Sequence, residues 1–193
     1  MKTYTIVCGI NGAGKSSLLG VLKSLSNMGR IVDAERYTKD SVVKFNDCRK
    51  AVKIIDESLE AGISFTQETT LAGYRIVKTI RKAVSLGYAI DLYYVGISTC
   101  EECNRRIVNR VVRGGIPIEK DLLEQRFKKR FDAFSKILKY TTKALFYDNQ
   151  NGFVQVAEYK NDEIITIGSY KPQWVDELIE KYESDRDKEY NHK

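Results

Sequence analysis

Gly9-Ile10-Asn11-Gly12-Ala13-Gly14-Lys15-Ser16 fits the pattern G-x-x-x-x-G-K-[ST] without a mismatch. Its flanks supply the context such a loop needs. Thr3 to Cys8 alternates and then turns apolar, which predicts a buried strand ending at Gly9. From Lys15 to about Leu25, leucines at 18, 19, 22 and 25 recur at helical spacing. Glycines let the backbone aim its N–H groups inward around phosphates without a Cβ clash. The partial positive end of the following helix adds to that attraction. The stretch therefore predicts a nucleotide-binding loop in which Gly9, Asn11, Gly12, Ala13, Gly14, Lys15, Ser16 and Ser17 hold the phosphates. Lys15 would reach the β- and γ-phosphates, and the Ser16 hydroxyl would ligate Mg²⁺.

Working outward from the loop, strand and helix patterns alternate. Strands are expected at Arg30–Asp33, Ile63–Glu68, Tyr88–Ile97 and Leu145–Tyr147. Helices are expected at Asp40–Ala61, Leu71–Leu86, Cys100–Arg113 and Glu119–Lys139, with Gly62 and Gly87 as stops. This rhythm predicts an α/β P-loop NTPase: a three-layer αβα domain around a five-stranded parallel sheet, with a helical lid. That domain spans residues 1–150. Residues 151–193 read as an appendage, with a polar hairpin (Gly152–Tyr159 and Ile164–Ile167), a helix over Pro172–Tyr182 and a frayed tail.

Composition agrees with a folded globular chain. The 193 residues are 42% hydrophobic and 30% charged, which is ample for a core and excludes a disordered polymer. No apolar run approaches the roughly 18 residues that span a bilayer, and the N-terminus lacks a signal-peptide pattern. Four irregularly spaced cysteines suit reduced thiols, so a cytoplasmic location without membrane attachment is expected. Cys100-Glu101-Glu102-Cys103 has no second pair, and the single histidine, His192, lies in the tail, so buried thiols are expected there rather than zinc. The net charge of +6 suits either phosphorylated small molecules or nucleic acid.

The class of nucleotide-binding protein follows partly by exclusion. Leu25-Ser26-Asn27-Met28-Gly29 is not a transporter-ATPase signature, no strand ends in the Asp-Glu pair of such ATPases, and N-K-x-D is absent. What remains is the kinase branch, in which a small acceptor sits beside the γ-phosphate. Asp33 and Glu35 follow the second strand, and Glu68 and Thr70 follow the third. Ligands in open α/β sheets bind beyond such carboxyl ends. A kinase needs one carboxylate to orient or deprotonate the acceptor hydroxyl and another for the substrate or Mg²⁺ water, although either pair could instead be capping or solvated loop acids. Arg106, Arg110 and Arg113 fall on one helix face, opposite Ile107, Val108, Val111 and Val112, and Arg126 edges the next helix. Such a row suits a lid that neutralises γ-phosphate charge, or else a solvated face. No aromatic platform interleaves with it, which argues against nucleic acid.

Taken together, the ordered motifs resemble the zeta-toxin family of P-loop kinases, particularly its short members. The resemblance rests on Gly9 to Ser17, Glu68-Thr69-Thr70-Leu71 with Gly73-Tyr74, Asn109 to Gly115, Arg126-Phe127 and Tyr147-Asp148-Asn149, and covers roughly residues 3 to 150. It implies ATP and Mg²⁺ as cofactors at Lys15 and Ser16. It also implies a catalytic carboxylate at Glu35 with Asp33 beside it, and substrate positioning by Glu68 and Thr70. Arg113 and Arg126, thirteen residues apart, would be the catalytic and ATP-binding arginines. The implied reaction phosphorylates a hydroxyl of a small acceptor such as UDP-N-acetylglucosamine, with an antitoxin protein as partner. The chain departs from the family in having Glu35 for the usual Asp and Ile116 for the usual His. The alternative is a nucleotide-dependent regulatory ATPase, RNA-associated and without an acceptor.

Overall fold

Strand β1 (Thr3–Cys8) is buried on both faces and takes the middle of the parallel part of the sheet. Tyr4, Ile6 and Cys8 enter one core and Val7 the other, all at 0% exposure. The computed structural model describes residues 1–33 and 44–191. On either side of β1, strands β3 (Phe65–Thr69) and β4 (Ala89–Gly96) pair with it in parallel. Beyond them, β2 (Arg30–Asp33) joins β3 and β5 (Lys143–Asp148) joins β4, also in parallel. The hairpin β6 (Val154–Lys160) and β7 (Glu163–Thr166) then continues the sheet in antiparallel.

The result is a seven-stranded mixed sheet in the order β2-β3-β1-β4-β5-β6-β7, wider than the five parallel strands expected. The reason is local. Val156 and Ala157 are fully buried, and pairing with β5 covers an edge that would otherwise stand open. Asn161 and Asp162, at φ 53° and 62°, supply the two left-handed residues that close such a hairpin tightly.

Helices cover both faces. On one lie α1 (Lys15–Leu25), α4 (Cys100–Val112) and α5 (Lys120–Lys128), contributing Leu18, Leu22, Ile107 and Leu123 to the core. On the other lie α2 (Lys44–Glu60), α3 (Arg75–Ser85), α6 (Phe134–Ile137) and α7 (Gln173–Asn191), contributing Ile55, Ile80, Phe134 and Leu178. From β1 the chain runs outward to β2, and from β3 it returns past β1 to β4. This reversal opens a crevice at the carboxyl ends of β1 and β3, where α/β sheets bind ligands.

Several elements differ from their sequence-based bounds. The expected helix from Leu71 begins only at Arg75, because Leu71 (φ 58°) and Gly73 (φ 99°) form a left-handed turn first. The expected helix Glu119–Lys139 breaks after Lys128 and resumes at Phe134. Within the gap, the Arg130 guanidinium lies 3.9 Å from the Phe127 ring centre and 4.4 Å from that of Phe131 and pairs with Glu177 of α7. At the other end, the tail expected to fray continues α7 to Asn191, supported by Lys181–Asp185 at 2.9 Å and Arg186 on the Asp162 carbonyl at 3.1 Å. No described helix is long and apolar enough to cross a membrane.

Candidate nucleotide and acceptor site

The loop between β1 and α1 is hemmed in on two sides. Gly12 has φ 83°, and a Cβ there would lie 2.6 Å from the Cys103 carbonyl oxygen in the first turn of α4. Gly14 has φ 104°, and a Cβ there would run into the Asn149 side-chain amide after β5. Only glycine meets both demands, left-handed backbone and close approach. Gly14 caps α1 without a side chain, accepting from Ser17 N–H and Leu18 N–H at 3.0 Å each. The first amides of the helix are thereby left for an anion. Lys15 is 4% exposed, and its ammonium donates to the Ile10 carbonyl at 3.3 Å, folding back over the loop it follows.

At the carboxyl end of β3, Glu68 stands in register with Val7 of β1 and Asp33 of β2. Both acids are buried. The Ser16 hydroxyl donates to Glu68 Oε1 at 2.9 Å, so Glu68 sits directly on the side chain expected to ligate Mg²⁺. Hydroxyl and carboxylate oxygens are the hard donors that this ion takes. Gly9 N–H donates to the Thr69 carbonyl at 3.3 Å, tying the start of the loop to the end of β3. Glu35 lies outside the described residues.

The basic groups divide between two places. Arg126 of α5 donates to Asn11 Oδ1 at 2.8 Å, which brings it onto the phosphate loop. It also borders a cleft of about 560 Å³ lined by Thr70, Tyr74, Leu122, Lys129 and Lys136. Arg113 is exposed and lines a separate notch of about 450 Å³ with Arg106, Asn109 and Arg110. The arginine row expected to form a lid therefore splits. Arg110 donates to the Ile116 carbonyl at 2.9 Å, and Arg106 donates to the Asn149 carbonyl at 2.7 Å. The opposite helix face is not the apolar seam expected either. Ile107 is buried, but Val108, Val111 and Val112 are exposed, because only the first half of α4 rests on the sheet.

Comparison with solved structures places this architecture. A structure from the PezAT chromosomal toxin–antitoxin system of Streptococcus pneumoniae aligns over 100% of this chain and 88% of its own, with a TM-score of 0.62 at 16% identity. The AvrRxo1-ORF1:AvrRxo1-ORF2 complex with sulphate ions aligns over 93% of this chain, at TM-score 0.64 and 16% identity. The same complex with ATP aligns at TM-score 0.59 and 15% identity, and in both cases this chain spans 63% of the other. This chain shares the fold of these structures, which agrees with the zeta-toxin resemblance of its motifs. Among relatives by sequence, an uncharacterized protein of Haemophilus influenzae is 28% identical over 126 residues, covering 62% of this chain and 89% of its own. No protein-family profile matches the chain.

Within this fold, the loop, Glu68, Asn11 and Arg126 meet at the crevice, and Arg126 also borders the cleft that Thr70 lines. Asp33 reaches the same strand ends, while Arg113 stands apart. Sequence reasoning gave no role to Asn149, whose Nδ2 donates to the Ala13 carbonyl at 2.7 Å. A polar residue directly after the apolar β5 was the signal available. Nor did it foresee Glu102, which holds Arg105 and Arg106. Hydrogen bonds from Arg105 and then Arg106 lower its carboxyl to about 2. Cys103 is buried, which pushes its thiol up to about 12, and burial also raises Cys100. Both are thiols rather than thiolates at neutral pH.

Proposed function

We propose that the chain is an ATP-dependent, Mg²⁺-requiring kinase that transfers the γ-phosphoryl group to a hydroxyl of a small acceptor, with nucleotide sugars such as UDP-N-acetylglucosamine as the leading class. The observation that carries this reading is the Ser16–Glu68 contact at one side of the loop with the Arg126–Asn11 contact at the other, Arg126 also bordering the 560 Å³ cleft. A binding module needs only the loop. A kinase also needs a cavity beside it for a second substrate.

In this reading, Lys15 and the loop amides of Gly12, Ala13 and Gly14 grip the β- and γ-phosphates, with Asn11 holding Arg126 against them. Ser16 and Glu68 would hold Mg²⁺, which would supply neutralisation of the phosphate charge. The acceptor occupies the cleft beside Thr70. Glu35, or Asp33, accepts the hydroxyl proton as the acceptor oxygen bonds to phosphorus and the bond to ADP breaks. Arg126 offsets the charge on the transferring group. Arg113 would have to swing in from its exposed notch to join it. A well-placed arginine in this role accelerates phosphoryl transfer by about 10³–10⁵-fold.

The test is ADP release with Mg²⁺ and ATP, with and without a sugar-nucleotide pool, followed by mass analysis of the pool. Acceptor-dependent release with an 80-dalton gain on one component, on the order of one phosphoryl group, is the expected result. Release stimulated by RNA instead, steeply salt-sensitive and without a phosphorylated small molecule, would transfer the assignment to the regulatory ATPase.

A further inference from the structure

We infer that Asn149 and Arg106 are positioning residues for the phosphate loop, bonded to each other and, with Glu102 holding Arg106, forming a brace that fixes the Ala13–Gly14 peptide. The inference rests on the loop binding phosphates, but not on the transfer of one.

The first link is the Asn149 side-chain amide, which donates to the Ala13 carbonyl at 2.7 Å. In a planar trans peptide the C=O and the following N–H point in opposite directions, and the described residues contain no cis peptide bond. Tying the Ala13 oxygen outward therefore turns the Gly14 N–H inward, toward the space where phosphate oxygens sit. Gly14 is free to rotate by its nature, so without this tie the amide would sample both orientations. Donors already aimed at their ligand cost little ordering on binding.

Asn149 is itself held. Its backbone N–H donates to the Gly96 carbonyl at 3.2 Å. Its own carbonyl accepts from Arg106 Nη2 at 2.7 Å, and the same nitrogen reaches the Gln150 carbonyl at 3.2 Å. Arg106 Nε donates to Glu102 Oε1 at 2.6 Å, and the two side chains are only 25% and 11% exposed. A guanidinium presents several donors in a fixed fork, so one residue can join a carboxylate to two carbonyls at once. Next to Glu102 on the same helical turn, the Cys103 carbonyl backs Gly12. Two glycines of the loop thus rest against parts that α4 fixes. On this account Arg106 is not a closing lid arginine: its contacts are to the protein, and its effect on phosphate passes through Asn149.

Calorimetric titration of inorganic tripolyphosphate and of ATP, each with Mg²⁺, into wild type, Asn149→Ala, Arg106→Ala and the double variant tests the brace. Each single substitution is expected to weaken both ligands about tenfold and to the same extent, the scale of one charge-assisted or strained hydrogen bond. The double variant should lose little more than the worse single one, because the two act in series. Should Arg106→Ala fail to fold, Glu102→Gln loosens the same guanidinium and should cost several-fold. Wild-type tripolyphosphate affinity in folded Asn149→Ala, with or without a lower melting temperature, would overturn the brace. So would losses confined to ATP, which indicate direct contact with the nucleoside, or losses that multiply to about 100-fold in the double variant. Absence of tripolyphosphate binding by wild type would remove the phosphate loop and the brace together. Binding without any transfer to an acceptor would remove only the kinase.

Discussion

At the scale of single residues, the site depends on atoms that are missing as much as on those present. Gly12 has no Cβ, and the α4 backbone fills the place of one: the Cys103 oxygen would lie 2.6 Å from it. That obstacle is a carbonyl in a helix rather than the tip of a flexible side chain, so relief requires α4 to move. Gly12→Ala is accordingly expected to lose about 1–3 kcal/mol of stability from the left-handed backbone and the collision together. Urea denaturation measures the loss, and an unchanged midpoint would contradict the close seating of α4 on the loop. Ser16 and Glu68 were both legible in the sequence, as the last position of a phosphate-loop pattern and as an acid at a strand end. Their 2.9 Å contact was not, because it joins residues 52 positions apart.

At the scale of elements, α4 and the end of β5 do the supporting. Asp148, the last residue of β5, is 1% exposed and accepts from Trp174 Nε1 at 2.8 Å, Tyr170 hydroxyl at 3.2 Å and Gln150 N–H at 2.9 Å. The Trp174 ring lies against Gly96, where any side chain would collide with it. Helix α7 is thereby fastened one residue before the asparagine that touches the phosphate loop. Trp174→Phe keeps most of the packing but removes one donor from a buried carboxylate. It should cost about 1–3 kcal/mol, read as a lower denaturation midpoint, and a variant as stable as wild type would show that this bond carries nothing. Strongly patterned elements such as β1, α1 and β4 were legible because periodicity alone specifies them. The break between α5 and α6 was not. It is set by Arg130 stacking on two rings and pairing with Glu177, a partner 47 residues away that no local pattern records.

At the scale of the whole molecule, the parallel order of β2, β3, β1, β4 and β5 brings the loop, Asp33 and Glu68 to one edge of the sheet, and the two helical layers close around it. The alternation of strand and helix predicted this much. The β6–β7 hairpin was read as a separate polar addition because its strands carry mixed residues, yet pairing with β5 gives Val156 and Ala157 a buried face. The kinase reading and the brace both require that the crevice at that edge grip a triphosphate through Lys15. Titration of ATP with Mg²⁺ into wild type and Lys15→Ala tests this most directly. The account predicts saturable binding by wild type and a loss of about 30-fold or more in the variant, the scale for removing a buried charge from its counter-charge. Equal affinity in the two proteins would contradict it.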